Sequence, residues 1–548
     1  MIKEEIKNFI KSALVNLNIE ASDIILEHPE DLKNGDYSTN IALVLAKNLK
    51  TNPRELAEKI AATLRQTQSE FPDIKEIQVA GAGFINFYLS PEFFAQSLEQ
   101  ILEKKDSFGK NNLFAGKKIM VEHTDPNPFK EFHIGHLMPN VVGSTIARIL
   151  EASGGEVRQA CYQGDVGMHV AKAVWAMLKG VNIKKAYAAG SKAFEESEVV
   201  KKEVQEINKK IYQKSDEKIS EIYTKGRKES LEYFDSIYKR LGTHFDYFFF
   251  ESEAAGFGKE IVEKNTGKVF EKGEGGAVIF KAENFDKALH TRVFINSEGL
   301  PTYEAKELGL AELKYEKYKY DKSIIITGNE INEYFKVLLA AMSKIFPQLA
   351  AKTTHLSHGM LRLPTGKMSS RTGDVITAES LIDVVKEKVK GNEDVAIGAI
   401  KYMILKQSIG GDIIFDIEKS VSVEGNSGVY LQYAYVRSKS VIEKAETLLV
   451  ENIANHKVKI ENENDPLLKI LYRFPEVVKR SADELAPHHI ATYLTELASS
   501  FNSFYAQNQI IDPENMETSR YRISLSRAVN IVLKEGLKIL GIPVPNNM

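Results

Sequence analysis

The sequence is short of cysteine, of tryptophan, of net charge and of long apolar runs. One cysteine, Cys161, in 548 residues excludes an intramolecular disulfide framework and any zinc site built on several thiolates. Cys161 itself reads as a small, partly buried residue. A formal net charge of -3, from 72 Lys+Arg against 75 Asp+Glu, excludes a uniform cationic coat around nucleic acid. It leaves room for a folded RNA held on local patches. No uninterrupted apolar run reaches the ~18 residues of a membrane span. Ile2, Ile6, Phe9, Ile10, Leu14 and Leu17 recur at helical spacing with acidic residues between them. The N-terminus therefore reads as an amphipathic helix rather than a signal peptide, and a cytoplasmic address follows by default.

What is present is an ordinary globular composition, 43% hydrophobic and 27% charged. At roughly 100–200 residues per domain the length suggests three or four domains. Residues 1–108 read as a small α+β module: a helix, a loop at Lys33–Tyr37, helices over Ile41–Lys50 and after Pro53, and a hairpin of Glu76–Val79 with Phe84–Leu89. Lys118–Glu122 reads as a strand, a Pro- and Asn-rich turn follows, and Ile134–Leu150 reads as a helix. Strand, turn and helix open an α/β nucleotide-binding layer. A stretch dense in Lys and Glu predicts a helical insertion over about 190–290, its charges forming solvated faces. Strand-like runs stand at Ala277–Phe280, Val293–Ile295 and Ser323–Ile326. From 381 to 548 helix follows helix, which predicts an all-α C-terminal domain.

Two short segments carry chemistry. His133 and His136 are spaced three apart at the start of a helix and share one face. Backbone N–H groups and the dipole there favour a phosphate, and Gly135 lets a flat base or ribose approach the backbone. Two imidazoles can donate hydrogen bonds to phosphate oxygens as charge develops. A lone His-x-x-His also fits half a metal site. The second segment, Leu363-Pro364-Thr365-Gly366-Lys367-Met368-Ser369-Ser370-Arg371-Thr372-Gly373, is a cationic, glycine-flanked loop suited to clamping phosphates; alone it also fits an ordinary surface turn.

Together the segments resemble a known family. His133-Ile134-Gly135-His136 is the first signature of class I aminoacyl-tRNA synthetases, and Lys367-Met368-Ser369-Ser370-Arg371 resembles the second. The form running through Gly373 is similar to that of arginyl-tRNA synthetases. Gly35-Asp36-Tyr37-Ser38-Thr39-Asn40 and Val79–Phe87 resemble that family's N-terminal domain, and Glu424–Arg437 resembles the start of its helical anticodon-binding domain. A cysteinyl enzyme of the same class would need zinc ligands that a single Cys161 does not supply. A small-molecule nucleotidylyltransferase shares the histidine motif but has no use for the terminal domains. An inactive tRNA-binding relative would not need intact His133, His136 and Lys367.

The resemblance implies a Rossmann-type catalytic domain over 109–380, an N-terminal tRNA D-loop-binding domain over 1–108, and a stem-contact and anticodon-binding domain over 381–548. It implies an arginine–tRNA ligase that uses ATP with Mg2+, acts as a monomer on tRNA(Arg), and needs tRNA present to activate arginine. Catalytic roles are implied for His133, His136 and Lys367. ATP contacts are implied at His133, Gly135, His136, Met360, Lys367, Met368, Ser369, Ser370 and Arg371. Arginine contacts are implied at Glu122, Asn127, Tyr303, Glu307 and Glu330, with Glu307 standing where relatives usually carry Asp. tRNA contacts are implied at Phe84, Asn86, Tyr430, Gln432, Tyr433 and Arg437. No protein-built metal site is expected.

Overall fold

The structure is a computed structural model that describes residues 1–20, 23–364, 376–448, 460–462 and 465–548. It divides into two compact units: Met1–Gly109 with Ala434–Val477 and Tyr493–Glu535, and Lys110–Tyr433 with Val478–Thr492 and Gly536–Met548.

In the first unit, β1 (Tyr37–Thr39), β2 (Ile74–Ala80) and β3 (Phe84–Leu89) form an antiparallel sheet in the order β1-β3-β2. The expected hairpin is β2–β3. Tyr37, read as loop, begins a strand instead. The N-terminal helix Ile2–Asn16 buries Ile6, Phe9, Ile10 and Leu14, as its spacing requires. Asn52 accepts hydrogen bonds from the N–H groups of Arg54 and Glu55, and Pro53 occupies the first turn of its helix, where no N–H is needed.

The Gly-Asp-Tyr step has a packing role. Gly35 adopts φ 95°, and a Cβ there would lie 2.8 Å from the Phe87 carbonyl oxygen. Asp36 accepts the Leu89 N–H at 2.8 Å and pairs with buried Lys469 at 3.3 Å. The Tyr37 hydroxyl donates to Glu476. The module is thereby fixed to the helical segment around residues 466–476.

The second unit is built on five parallel strands: β4 (Lys118–Glu122), β5 (Glu156–Gln163), β6 (Tyr247–Phe250), β10 (Lys322–Gly328) and β11 (Thr353–His358). Their spatial order is β11-β10-β4-β5-β6. The chain starts in the middle and winds first one way and then the other, so the order reverses between β4 and β10, where an open α/β sheet has its ligand crevice. Met120, Ala160, Tyr162 and Phe249 pack with Ala254 and Leu310 of the helices Glu251–Lys264 and Tyr303–Lys317. On the opposite face Cys161 and Gln163 meet the Tyr238 hydroxyl of the helix Glu217–Leu241. Successive residues of β5 thus serve opposite layers, as strand geometry dictates.

The helical insertion is shorter than expected. Helices Ile183–Glu196, Glu198–Gln213 and Glu217–Leu241 form it, with Val204, Ile207 and Ile211 inside and charges outside. The Tyr247–Phe250 run then becomes the edge strand β6. A separate antiparallel sheet follows, of β7 (Glu271–Lys272), β8 (Val278–Phe280) and β9 (Arg292–Ile295), packed on Phe270, Phe280 and Phe294. Its aromatic, alternating sequence is strand chemistry. From Ala378 onward the described chain is helical, apart from Ile413–Ile414, which pairs with Leu361–Arg362.

Candidate active site

The crevice at the β4–β10 reversal is entered by the helix Ile134–Ala152. His133 is its N-cap: the ring Nδ1 accepts the Gly135 N–H at 3.0 Å. A neutral ring that accepts at Nδ1 carries its proton at Nε2, so His133 presents a donor. His136 stacks on it with ring centroids 3.8 Å apart. The His136 Nδ1 is buried and has no hydrogen-bond partner among the described residues. Burial, reinforced by the charge of Lys130, lowers His133 to about 4. Burial and then His133 hold His136 well below the usual imidazole range. Both rings are neutral at physiological pH.

One expectation changes here. The helix N-terminus does not offer its backbone N–H groups to an anion: Ile134 donates to Ile376 O, Gly135 to the His133 ring, and His136 to His133 O. Among the described residues the imidazoles, not the backbone, keep unpaired polar atoms here, His136 through its Nδ1. Gly135 is also required by the cap itself, since a Cβ there would lie 2.7 Å from His133 Nδ1. Lys367, Met368, Ser369, Ser370 and Arg371 lie outside the described residues. Just after them the chain docks on the histidine turn, where Ala378 N–H donates to Phe132 O at 2.8 Å. Met360 is exposed, and its N–H donates to Asp412.

The neighbouring pocket gathers carboxylates. Glu122 ends β4, Glu251 follows β6, and Glu307 projects from the helix Tyr303–Lys317 that covers this face of the sheet. Glu122, expected at the arginine, pairs with Lys314 at 2.7 Å, both side chains 2% exposed. Burial makes that ion pair obligatory, since either charge alone would be desolvated without compensation. Glu251 pairs with Lys306 at 2.8 Å. Glu307 keeps no such partner among the described residues, and burial followed by the charge of Glu122 pushes it up to about 8. A pocket that loads carboxylates until one holds its proton is shaped for a cation.

Asn127 belongs to the same pocket: a Cβ at Gly164 would lie 2.2 Å from Asn127 Oδ1 and 3.1 Å from Glu251 Oε1. Tyr303 stands at the mouth, 60% exposed, with Lys306 5.1 Å from its ring centre. Glu330 stands apart, exposed just beyond β10 with its carboxylate folded over Gly328. Glu251 was missed by sequence reading. It follows an aromatic run and carries no motif; only the charge and burial brought together by the sheet reveal it. The turn joining Glu122 to the histidines is bent, with positive φ at Thr124, Asp125 and Phe129.

Among the residues expected at tRNA, Phe84 is exposed, whereas Asn86 is 3% exposed and accepts the Ser38 hydroxyl at 2.7 Å. Gln432 is fully buried and donates to Asp394 O and Pro543 O at 3.0 and 2.8 Å. It closes the core of the helical segment and presents nothing to RNA. Tyr433 is exposed and Tyr430 half-buried. Arg437 donates to Asn502 at 2.8 Å and lies over the Tyr505 ring. Among the described residues no helix is long and apolar enough to cross a membrane, and no group of three or more His, Cys, Asp or Glu could hold a metal ion.

Comparison with known proteins agrees with this geometry. Three families match: the arginyl tRNA synthetase N terminal domain at residues 1–89, the catalytic domain of class I (R) tRNA synthetases at 97–417, and the DALR anticodon binding domain at 431–548. The arginine–tRNA ligase of Borrelia hermsii is 30% identical, covering 100% of this chain and 99% of its own. That of Treponema denticola is 31% identical, covering 99% of each. The fold is that of the Thermus thermophilus arginyl-tRNA synthetase, with a TM-score of 0.76 at 23% identity over 100% of both chains. The Plasmodium falciparum arginyl-tRNA synthetase superposes with a TM-score of 0.77 at 21% identity, over 100% of this chain and 99% of its own. The chain belongs to the class I arginyl-tRNA synthetases, the arginine–tRNA ligases.

Proposed function

We propose that the crevice activates arginine with the two imidazoles at one end and the carboxylate pocket at the other. Arginine activation by ATP and the charging of tRNA are the family's reaction. The arginine carboxylate attacks the α-phosphate of ATP, giving arginyl-adenylate and pyrophosphate. A hydroxyl of the 3'-terminal ribose then attacks the activated carbonyl and releases AMP. The observation that carries this reading is a pair of stacked, neutral imidazoles on the turn that leaves β4 together with a buried carboxylate pocket at the carboxyl ends of the strands. His133 and His136 donate to phosphate oxygens as charge develops on them, and Lys367, with Met368, Ser369, Ser370 and Arg371, binds the ATP phosphates, Lys367 at the pyrophosphate. Met360 and Gly135 flank the nucleotide. Magnesium enters with ATP: imidazole nitrogen is a poor ligand for a hard cation that prefers oxygen, so the triphosphate carries it.

Glu307, with Glu251, takes the guanidinium, whose planar fork of donors suits paired carboxylates. Tyr303 closes over it, and Asn127 and Glu122 serve the α-amino end, Glu122 being held in place by Lys314. Glu330 acts only if the β10 turn moves. tRNA is met by residues 1–108 through Phe84, and by residues 381–548 through Tyr430, Tyr433 and Arg437, whose rings and guanidinium suit single-stranded bases. Asn86 and Gln432 support those surfaces from inside. The chain acts as a cytoplasmic monomer. The test is charging of unfractionated bacterial tRNA with each labelled amino acid in turn, with ATP and magnesium. Arginine alone should be attached, and His136→Ala should lower the rate about 100–1000-fold, the range for losing one transition-state donor. Attachment of a different amino acid would overturn the reading.

A further inference from the structure

Tyr162 is the penultimate residue of β5 and is 9% exposed. Its hydroxyl is buried without a hydrogen-bond partner among the described residues. Burying a hydroxyl unpaired is costly, and native structures rarely do so without a reason. Phenylalanine would fill the same space at no such cost.

The sheet register says where the hydroxyl lies. Glu122 pairs with Ala160, two residues before Tyr162 on the same strand, and Tyr162 pairs with Phe249, two residues before Glu251. Side chains two apart share a face. Glu122 and Tyr162 therefore share one face at the carboxyl ends of adjacent strands, beneath the helix that carries Glu307, and Glu251 opens the helix that follows the next strand. Burial raises the hydroxyl well above the usual phenol range, and the charges of Glu251, then Glu307, Tyr334 and Glu122 raise it further, so it feels the carboxylates of the pocket. The hydroxyl oxygen lies in an acidic pocket and accepts from no donor among the described residues.

We propose that the Tyr162 hydroxyl is a substrate-binding group, its oxygen accepting a hydrogen bond from the guanidinium of bound arginine. The proposal rests on the arginine pocket assigned above. It makes Tyr162 a reader of guanidinium geometry alongside the carboxylates, which supply charge.

The test is Tyr162→Phe in the full chain, with steady-state charging of tRNA and thermal unfolding of the ligand-free protein. Losing a hydrogen bond to a charged group should raise the arginine KM about tenfold. The ATP KM and kcat should stay near wild type. The unfolding midpoint should be equal or higher, because an unpaired hydroxyl has been removed. An unchanged arginine KM would overturn the proposal. So would a lower midpoint with parallel losses for arginine and ATP, which marks a packing role. A wild type that charges another amino acid would instead overturn the arginine pocket itself, an outcome visible before the variant is made.

Discussion

The two ends of the crevice treat charge in opposite ways. At the end proposed for phosphate the rings of His133 and His136 are stacked and neutral, His136 buried and His133 half-buried, so an anionic substrate would bring the charge to donors that the chain supplies. At the amino-acid end charge is accumulated before the substrate arrives: Glu122, Glu251 and Glu307 converge, and Lys314 and Lys306 neutralise two of them. Neutral donors cost little to bury, whereas carboxylates must be paired or protonated. The lysines therefore hold the acidic end together, and Glu307, without a cationic partner among the described residues, is left as the carboxyl that holds its proton.

The largest effect should come from breaking that support. Lys314→Met strands Glu122 as a buried, uncompensated charge and should cost about 3–5 kcal/mol of stability, measured by urea unfolding. Adding Glu122→Gln should recover most of that loss, because both charges are then gone. A single variant as stable as wild type would mean that water or a neighbour already compensates Glu122.

Next, Glu307→Gln should raise the arginine KM about tenfold or more, as expected for a lost charge-assisted hydrogen bond, with the ATP KM unchanged. Its pH dependence sharpens the contrast. The Glu307 carboxyl, pushed up to about 8, must ionise to meet the guanidinium. Arginine KM in the wild type should therefore fall about tenfold per pH unit as pH rises toward 8 and level off above it. Glu307→Gln should abolish that slope. The same raised carboxyl gives stability that is present at low pH and lost as pH rises through about 8. The variant should thus gain in unfolding midpoint relative to wild type at alkaline pH.

The smallest effect lies at the phosphate end. His133 is lowered from 6.5 to about 4, so the stability it contributes is present above the ordinary imidazole range and is lost as pH falls toward 4. His133→Asn keeps a side chain able to cap the helix and should lose less in unfolding midpoint between neutral and mildly acidic pH. Equal acid sensitivity in the two proteins would show that His133 is solvated well enough to protonate freely.

Much of the fold was legible because its signals are local. Lys118–Glu122, the helix beginning at Ile134, the β2–β3 hairpin and the helical C-terminal region follow from periodicity, capping and turn residues. Two of the strands that escaped reading, β5 and β11, carry side chains that are polar for tertiary reasons. β5 carries Gln159 and Gln163, both buried, and β11 is a half-buried edge strand of Thr, His and Ser. The reach of the insertion was misjudged because Lys/Glu density marks solvated faces and says nothing of where a sheet resumes.

The two histidines, the lysine–serine segment and the family they resemble are legible in the chain alone, because motif chemistry is written in consecutive residues. Only the tertiary structure decided which carboxylates meet. Glu122, Glu251 and Glu307 are distant in sequence and converge because parallel strands end together beneath one helix. It also decided that Glu122 belongs to Lys314, that Gln432 faces inward, and that the helix N–H groups are already spent. Burial and partnership are properties of the packed chain, and they set whether a charge is a ligand, a strut or a proton store.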